Sequence, residues 1–362
     1  MDTMVRSPTP QEDAPILKEI TSMREFKTLL LEAEKYYDNH ASSRPIRKSI
    51  ETHITVAIID DGVDVKDLQY TFIGGRTFCT RDEEHNLNNP YYVSSAGHGT
   101  VMTQNVWDIC PAAEFYVLRL DDHPHPSEDH VRQITPRSAA QAIRAAVKKK
   151  VHIICMSWTI DPPENDNGDY DELDKAISEA KSADILMFCA ASDRGAKQTA
   201  TYPSKAAPNK IFTIGAASAW GAVDPRVGDL SGITLTFPGD KVELHHSEGE
   251  GFAGIREVSG SSVATALGAG LAALILYCVQ VAVFLAKGEE EKEKLRVCFE
   301  KLRRHEVMLQ AIKSIGTSEK SNHKFVEVWR LFGEKSDMRE NKAQDQWIEL
   351  VAEVGKTVCW RL

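Results

Sequence analysis

The sequence has no surplus of positive charge. Its 362 residues include 43 Lys and Arg against 53 Asp and Glu, which gives a formal net charge of −10. Because nucleic-acid phosphates are bound by basic surfaces, this balance argues against a nucleic-acid partner. Hydrophobic residues make up 42% of the chain and charged residues 27%, which is typical of a folded globular protein and excludes wholesale disorder.

Closely spaced cysteine pairs are also missing. The seven cysteines are odd in number, lie far apart and include no Cys-x-x-Cys pair, which argues against a disulfide framework and against a zinc ribbon. Residues 1–15 are rich in proline and acidic side chains and contain no apolar run, so a secretory signal is not predicted. We therefore expect a reducing, cytoplasmic setting in which the cysteines are buried small hydrophobic residues.

Short apolar runs alternate with amphipathic stretches from residue 52 onwards. This alternation is typical of an α/β fold in which a mostly parallel, doubly wound sheet has helices on both faces, a three-layer sandwich. Helical periodicity predicts helices over 138–149 and 170–183. The predicted strands span residues 54–59, 115–120, 151–156, 185–190 and 211–216.

The sandwich is predicted to span residues 52–286, with helical extensions on both sides. Residues 1–51 are expected to form a loose arm and a helix that begins at a Ser22–Glu25 capping box. Residues 287–362 are densely charged and carry two apolar stripes, each predicted to be one face of a helix: Leu295, Phe299, Leu302, Leu309 and Ile312, then Phe325, Val328, Trp329 and Phe332. These helices either bind a protein partner or pack on the main domain, and packing is favoured.

One apolar run, residues 263–286, is long enough to cross a membrane. A helix that is apolar all round is also what the centre of a large α/β domain requires. Because a Gly-Ser-Ser segment opens this run, we predict a buried core helix and no membrane association.

Three polar residues stand at predicted ends of these elements. Asp60 follows the first strand, His98 lies between two glycines, and Ser262 opens the long apolar helix. Alone, each has a plainer explanation, as a turn acid, a capping histidine or a helix cap. Together they are the parts of an activated serine nucleophile, in which the His accepts the Ser proton and the Asp orients the His.

In their order along the chain, these segments resemble the three signatures of the subtilisin-like serine peptidases, the subtilases. Residues 60–62 (Asp-Asp-Gly) are similar to the family's Asp-Ser/Thr-Gly, residues 98–100 (His-Gly-Thr) to its His-Gly-Thr, and residues 260–264 (Gly-Ser-Ser-Val-Ala) to its Gly-Thr-Ser-Met-Ala. The variants resemble the intracellular subtilase domains of filamentous fungi. The likeness covers about residues 52–286.

The resemblance implies a serine endopeptidase that cleaves polypeptides through an acyl-enzyme intermediate, without a cofactor. It implies Asp60, rather than Asp61, as the acid of the triad. It places Ser157 and Trp158 beside the substrate cleft and Asp193 where the family has the asparagine of its oxyanion hole.

Two departures from the family pattern bear on activity. Ala266 replaces a proline that follows the nucleophile, which is a mild change because such a proline mainly presets the backbone. Asp193 replaces an amide donor with a carboxyl group, which can donate a hydrogen bond to an oxyanion only when it is protonated. We expect burial to favour that form. The alternative function is a pseudoprotease that binds a peptide or partner without cleaving it.

A histidine-rich segment, residues 121–130, could suggest a metal site. The spacing of His123, His125 and His130 among acidic residues fits no tetrahedral pattern, so a solvated loop without a metal is predicted.

Overall fold

The computed structural model describes ten segments of the chain: 14–40, 44–68, 70–79, 89–124, 132–163, 168–195, 200–219, 221–228, 230–243 and 257–362. The helices are α1 (Ala14–His40), α2 (Ile46–Ser49), α3 (His98–Ile109), α4 (Pro136–Lys149), α5 (Asp169–Ser182), α6 (Ser261–Leu285), α7 (Glu289–Leu302), α8 (His305–Ile315), α9 (Phe332–Asp337) and α10 (Trp347–Trp360). The strands are β1 (Thr55–Asp60), β2 (Thr71–Thr77), β3 (Glu114–Arg119), β4 (Asp122–Pro124), β5 (Arg132–Ile134), β6 (Ile153–Met156), β7 (Leu186–Ala190), β8 (Phe212–Ala217), β9 (Leu235–Pro238), β10 (Val242–Glu243) and β11 (Glu257–Val258).

Seven strands form one parallel sheet in the order β2-β3-β1-β6-β7-β8-β9. The predicted α/β class is therefore confirmed, and all five predicted strands are present. From β1 the chain builds the sheet first to one side, through β2 and β3, and then to the other. A reversal of this kind leaves a crevice at the carboxyl end of the strands, where α/β proteins place their sites.

Helices cover both faces of the sheet, as predicted. Helices α4 and α5 pack on one face, where the alanines of α4 let the two layers approach closely. The other face carries α3 and α6, together with α1 and the C-terminal helices. The core of this second layer is the larger of the two, because α6 is surrounded by apolar residues on every side.

Helix α6 is apolar and long enough to cross a membrane, with a hydropathy of 2.2 over its most apolar 18 residues. However, 89% of this stretch is buried inside the protein. Its neighbours include strands β6 to β9 and helices α3, α7 and α10. At Gly355, α10 approaches so closely that a Cβ atom would lie 2.4 Å from the carbonyl oxygen of Cys278. The prediction of a buried core helix is confirmed.

The terminal helices differ in detail from the prediction. Helix α1 begins at Ala14, so Ser22 lies inside it and is not its cap. The stripe that begins at Phe325 is not one helix, because Lys324 and Phe325 pair with the edge strand β9. The Thr236 amide donates to the Lys324 carbonyl oxygen across 2.8 Å. This pairing continues the sheet and covers an edge that would otherwise be open.

Two cysteines are joined in a disulfide, Cys298 on α7 and Cys359 on α10. The prediction that every cysteine is a thiol is therefore wrong for this pair. The two residues are 61 positions apart in the sequence, and they meet because α7 and α10 both pack on α6. Spacing along the chain carried no sign of this contact.

Candidate active site

Asp60 is the last residue of β1, at the carboxyl edge of the sheet, and its side chain is buried. Its Oδ1 atom accepts hydrogen bonds from the Asp61 amide at 2.9 Å and from Nδ1 of His98 at 2.8 Å. The apolar run that makes β1 thus ends with a carboxylate whose direction is fixed by two donors.

His98 is the first residue of α3, and its side chain is 40% exposed. Helix α3 can reach Asp60 because Gly99 has no side chain where the two backbones meet. A Cβ atom on Gly99 would lie 2.2 Å from the Gly62 carbonyl oxygen and 3.0 Å from Cβ of Asp60. The glycine of the His-Gly-Thr segment is therefore needed for the contact between the acid and the histidine.

The acids around His98 favour its protonated form. Desolvation lowers the pKa of His98, but the Asp60 carboxylate opposes it through charge and hydrogen bonding, and Asp61 and Asp122 add to this, so that the pKa is raised to about 9. Burial raises the pKa of Asp60, and the charge of His98 opposes that rise. The pair can therefore hold a proton on the imidazole at neutral pH.

Asp61, the alternative acid of the triad, is turned away from the imidazole. It accepts hydrogen bonds from the Ala96 and Gly99 amides, at 2.7 and 2.8 Å, and from the Ser94 hydroxyl at 2.7 Å. These contacts fix the loop that leads into α3. Asp61 thus shapes the approach to His98, while the hydrogen bond to its ring belongs to Asp60.

Ser262 is the second residue of α6, which begins at Ser261 after Gly260. The suggestion that Ser262 caps the helix is wrong, since the N-cap residue is Gly260. Gly260 has a φ of 141°, a conformation that favours glycine, and a Cβ atom there would lie 3.3 Å from the Ser262 hydroxyl oxygen. The first turn of α6 therefore presents Ser262 at the carboxyl edge of the sheet.

Helices α3 and α6 bring their first turns to the same end of the protein. They are in close contact where a Cβ atom on Gly270 would lie 3.0 Å from the Val106 carbonyl oxygen. Gly270 is eight residues after Ser262, and Val106 is eight residues after His98, so both lie about 12 Å along their helices. No hydrogen bond joins the His98 ring to the Ser262 hydroxyl in the described coordinates. Such contacts in a free enzyme commonly tighten only when substrate binds.

Asp193 lies three residues after the end of β7 and is exposed, contrary to the burial expected from the sequence. Its carboxylate accepts hydrogen bonds from the Ser261 amide at 2.8 Å and from the Ser261 hydroxyl at 2.6 Å. The same hydroxyl accepts from the Ala216 amide at 3.0 Å. Ser261 thus connects β8 and Asp193 to the start of α6. It belongs to the Gly-Ser-Ser segment but is not among the predicted site residues.

Ser157 and Trp158 are both buried, with exposed fractions of 4% and 8%. The Trp158 indole lies in the core between the sheet and helices α4 and α5, and its Nε1 atom donates to the Ile59 carbonyl oxygen at 2.7 Å. Burial and this bond give Trp158 a supporting position beneath Asp60, rather than an open face toward a cleft. The Ser157 hydroxyl lies 3.5 Å from the Cys155 sulfur.

The described residues contain no cluster of three or more His, Cys, Asp or Glu side chains that could hold a metal ion. Of the histidine-rich segment, His123 lies on β4, 3.4 Å from Asp121. His125 and His130 lie outside the described residues.

Known families and proteins match the part of the chain that builds this site. The model of the subtilase family matches residues 51–280. The subtilisin-like protease het-Q2 of Podospora anserina is 29% identical over 231 residues, which are 62% of this chain and 57% of that protein. An intracellular serine protease of Paenibacillus polymyxa is 29% identical over 242 residues, 61% of this chain and 66% of that protein. The chain thus spans less than two thirds of the length of either relative.

Solved structures share the fold over a longer range. The crystal structure of a lanthipeptide protease superposes with a TM-score of 0.57, covering 87% of this chain and 97% of that one, at 17% sequence identity. The nisin leader peptidase NisP of Lactococcus lactis gives a TM-score of 0.56 and covers 83% of this chain and 93% of that one, at 14% identity.

Proposed function

The chain belongs to the subtilase family, and from this premise we propose that it is a serine endopeptidase with Asp60, His98 and Ser262 as its catalytic triad. The observation that carries the proposal is the 2.8 Å hydrogen bond between His98 and Asp60, at the end of the protein where both α3 and α6 begin. Asp, His and Ser in this arrangement supply the three roles that acyl transfer from a peptide needs.

In the proposed reaction, the Ser262 oxygen attacks the carbonyl carbon of a peptide bond while Nε2 of His98 accepts the hydroxyl proton. Asp60 holds the proton on Nδ1 and stabilises the imidazolium. His98 then donates its proton to the leaving amine, which leaves an acyl ester on Ser262. Water, activated by the same histidine, hydrolyses the ester and restores the serine.

The oxyanion would form at the start of α6. There the Ser262 amide and the positive end of the helix dipole stabilise negative charge. Asp193 lies at the same place, and its contacts with Ser261 make its carboxylate a hydrogen-bond acceptor. We propose that it fixes Ser261, and that it donates to an oxyanion only when it carries a proton.

The substrate class that follows is a polypeptide. The family and the names of both relatives support a protease, and the name of the Paenibacillus protein supports the cytoplasmic setting expected from the sequence. We propose that Trp158 acts as a positioning residue, because its hydrogen bond to Ile59 supports the strand end that carries Asp60.

A fluorophosphonate probe tests the triad, because it forms a covalent bond only with an activated serine. We expect labelling of the whole chain at Ser262, none in Ser262→Ala and much less in His98→Ala. Ser182→Ala is the matched control, since Ser182 is an exposed residue at the end of α5. A folded protein that is not labelled, or labelling that survives in Ser262→Ala, contradicts the proposed function. The first outcome is the one a pseudoprotease gives.

A further inference from the structure

Residues 90–97, which we refer to as the ridge loop, lead directly into His98 and expose two neighbouring apolar side chains. Tyr92 is 51% exposed and Val93 is 44% exposed. Within the described part of residues 52–286, these are the only large hydrophobic residues exposed to that degree. The others in the described chain belong to the C-terminal region: Val297, Met338, Trp360 and Leu362.

Backbone hydrogen bonds hold the ridge loop, and the Tyr92 ring also contacts the Tyr91 ring edge-on, with 5.4 Å between the ring centroids. The Val63 amide donates to the Tyr91 carbonyl oxygen at 3.0 Å. The Arg119 guanidinium donates to the Val93 carbonyl oxygen at 2.7 Å, and the Ser94 amide donates to Asp64 at 3.0 Å. An apolar pair on a fixed loop costs little ordering entropy when it binds a ligand.

Close packing places the ridge loop beside Asp60 and His98. A Cβ atom on Gly62 would lie only 2.1 Å from the Val93 carbonyl oxygen, and Gly62 in turn contacts Gly99, the residue after His98. Gly62 therefore lies between the Val93 backbone and the start of α3, and contacts both. The carboxylates beneath the loop, Asp61 and Asp64, are occupied by hydrogen bonds from the loop itself.

We propose that Tyr92 and Val93 form a contact site for an apolar side chain of the polypeptide substrate and so help to set its specificity. This inference rests on the proposed function. The occupant is the substrate chain, because the ridge loop runs directly into the half-exposed His98, beside which the scissile bond must lie. A tyrosine ring beside a branched aliphatic side chain buries much apolar area when it is covered. One such contact discriminates between side chains by about 10-fold or more.

A positional library of fluorescent octapeptides tests the site. Each position is varied between Leu, Phe, Ser and Lys, and kcat/KM is measured for the whole chain, for Tyr92→Ser and for Val93→Thr. We expect the unmodified protein to prefer Leu or Phe at one position near the cleaved bond. Each variant should lose about 10-fold of that preference, mainly through KM. Val297→Thr is the matched control, because Val297 has the same 44% exposure on α7, and it should change nothing.

Failure of this inference can be told apart from failure of the triad. Fluorophosphonate labelling of Tyr92→Ser and Val93→Thr should equal that of the unmodified protein, since neither side chain takes part in proton transfer. The same peptides are also bound to Ser262→Ala, with Kd measured by fluorescence anisotropy, which needs no cleavage. No apolar preference at any position, or a preference that Tyr92→Ser and Val93→Thr keep in full, overturns the inference.

Discussion

The histidines at the two ends of the sheet have pKa values that are shifted in opposite directions. At the carboxyl edge, His98 is half-exposed, bonded to Asp60 and near further acids, and its pKa is raised to about 9. At the amino edge, His152 precedes β6 and packs near Phe299 of α7, while His305 of α8 packs against Phe212. Burial lowers the pKa of His152 to about 4, and Arg303 adds to this. Burial lowers the pKa of His305 to about 4, with a contribution from Lys210.

The two pKa shifts differ because the groups that contact the imidazole nitrogens differ. His152 accepts a hydrogen bond from the Thr55 amide at 3.1 Å, which requires an unprotonated nitrogen. Both ring nitrogens of His305 are buried and lack a hydrogen-bond partner among the described residues. At the exposed carboxyl edge, nearby carboxylates thus favour the protonated form of histidine. At the amino edge, which α7 and α8 cover, the histidines stay neutral and pack against apolar side chains.

Removing the C-terminal helices that cover the amino edge should have the largest effect on the stability of the protein. A chain that ends at residue 286 loses the helices that enclose α6, and we expect it to be insoluble or to show no cooperative thermal transition. Within the full chain, Leu302→Ala should cost about 2 to 5 kcal/mol of unfolding free energy, because Leu302 is fully buried. Exposed Val297→Ala should stay within about 0.5 kcal/mol. A soluble 1–286 chain that is labelled at Ser262 would instead make the C-terminal region an appendage for a partner.

Outside the triad, the residue of the carboxyl edge whose replacement should lower activity most is Asp193. Asp193→Ala removes the acceptor of both Ser261 donors and should lower kcat by about 10²- to 10³-fold. Asp193→Asn keeps an acceptor oxygen for Ser261 and adds an N–H donor, so kcat should be kept or raised. The comparison is made per active site counted by fluorophosphonate titration. Equal losses in the two variants would contradict any role in the oxyanion hole, as would a full rate in Asp193→Ala.

The pH dependence of activity should follow His98. The general base is the neutral imidazole, so with a pKa of about 9 only about one molecule in 100 carries it at pH 7. We expect kcat/KM to rise about 100-fold between pH 7 and its plateau above pH 9. Asp122→Asn removes one of the charges that raise this pKa and should move the profile toward lower pH. A plateau that begins near pH 6 to 7 would show that the acids do not control His98.

Lowering the pH should reduce the stability of the folded protein, because two histidines of the amino edge are held neutral. His152 and His305 have pKa values of about 4 in the folded protein against about 6.5 in the unfolded chain, so the unfolded chain binds more protons between these values. The unfolding free energy should therefore fall as the pH drops from 6.5 to 4, on the order of 2 kcal/mol for each histidine. Urea titrations across this range measure the fall.

Replacing the buried histidines sharpens this test. His305→Leu removes two buried nitrogens without partners and should make the acid decline shallower. The matched control is His323→Asn, because His323 is exposed and Asn tolerates its φ of 58°. A decline that His305→Leu leaves unchanged would place the acid sensitivity elsewhere.

Sequence patterns gave the sheet and the three signature segments because buried parallel strands and glycine-flanked polar residues leave strong local signals. Two strands of the sheet were not predicted: β2 is partly exposed and carries Gly74 and Gly75, and β9 has only four residues, the last of them a proline. The stripe from Phe325 was predicted as a helix because its spacing is helical, but pairing with β9 outweighs that local preference. The core position of Trp158 and the bonds between Asp193 and Ser261 depend on contacts distant in sequence, which no local pattern reveals.

The enclosure of α6 has a consequence for how the chain is made. Its neighbours come from both sides of it in the sequence: α1 and α3 are synthesised earlier, but α7 and α10 are synthesised later. On a ribosome, this largely apolar helix of 25 residues therefore leaves the exit tunnel before α7 and α10 have been synthesised. During that interval the nascent chain displays a segment with the length and hydropathy of a membrane span. Until α10 is synthesised, this exposed apolar segment makes the nascent chain prone to aggregation.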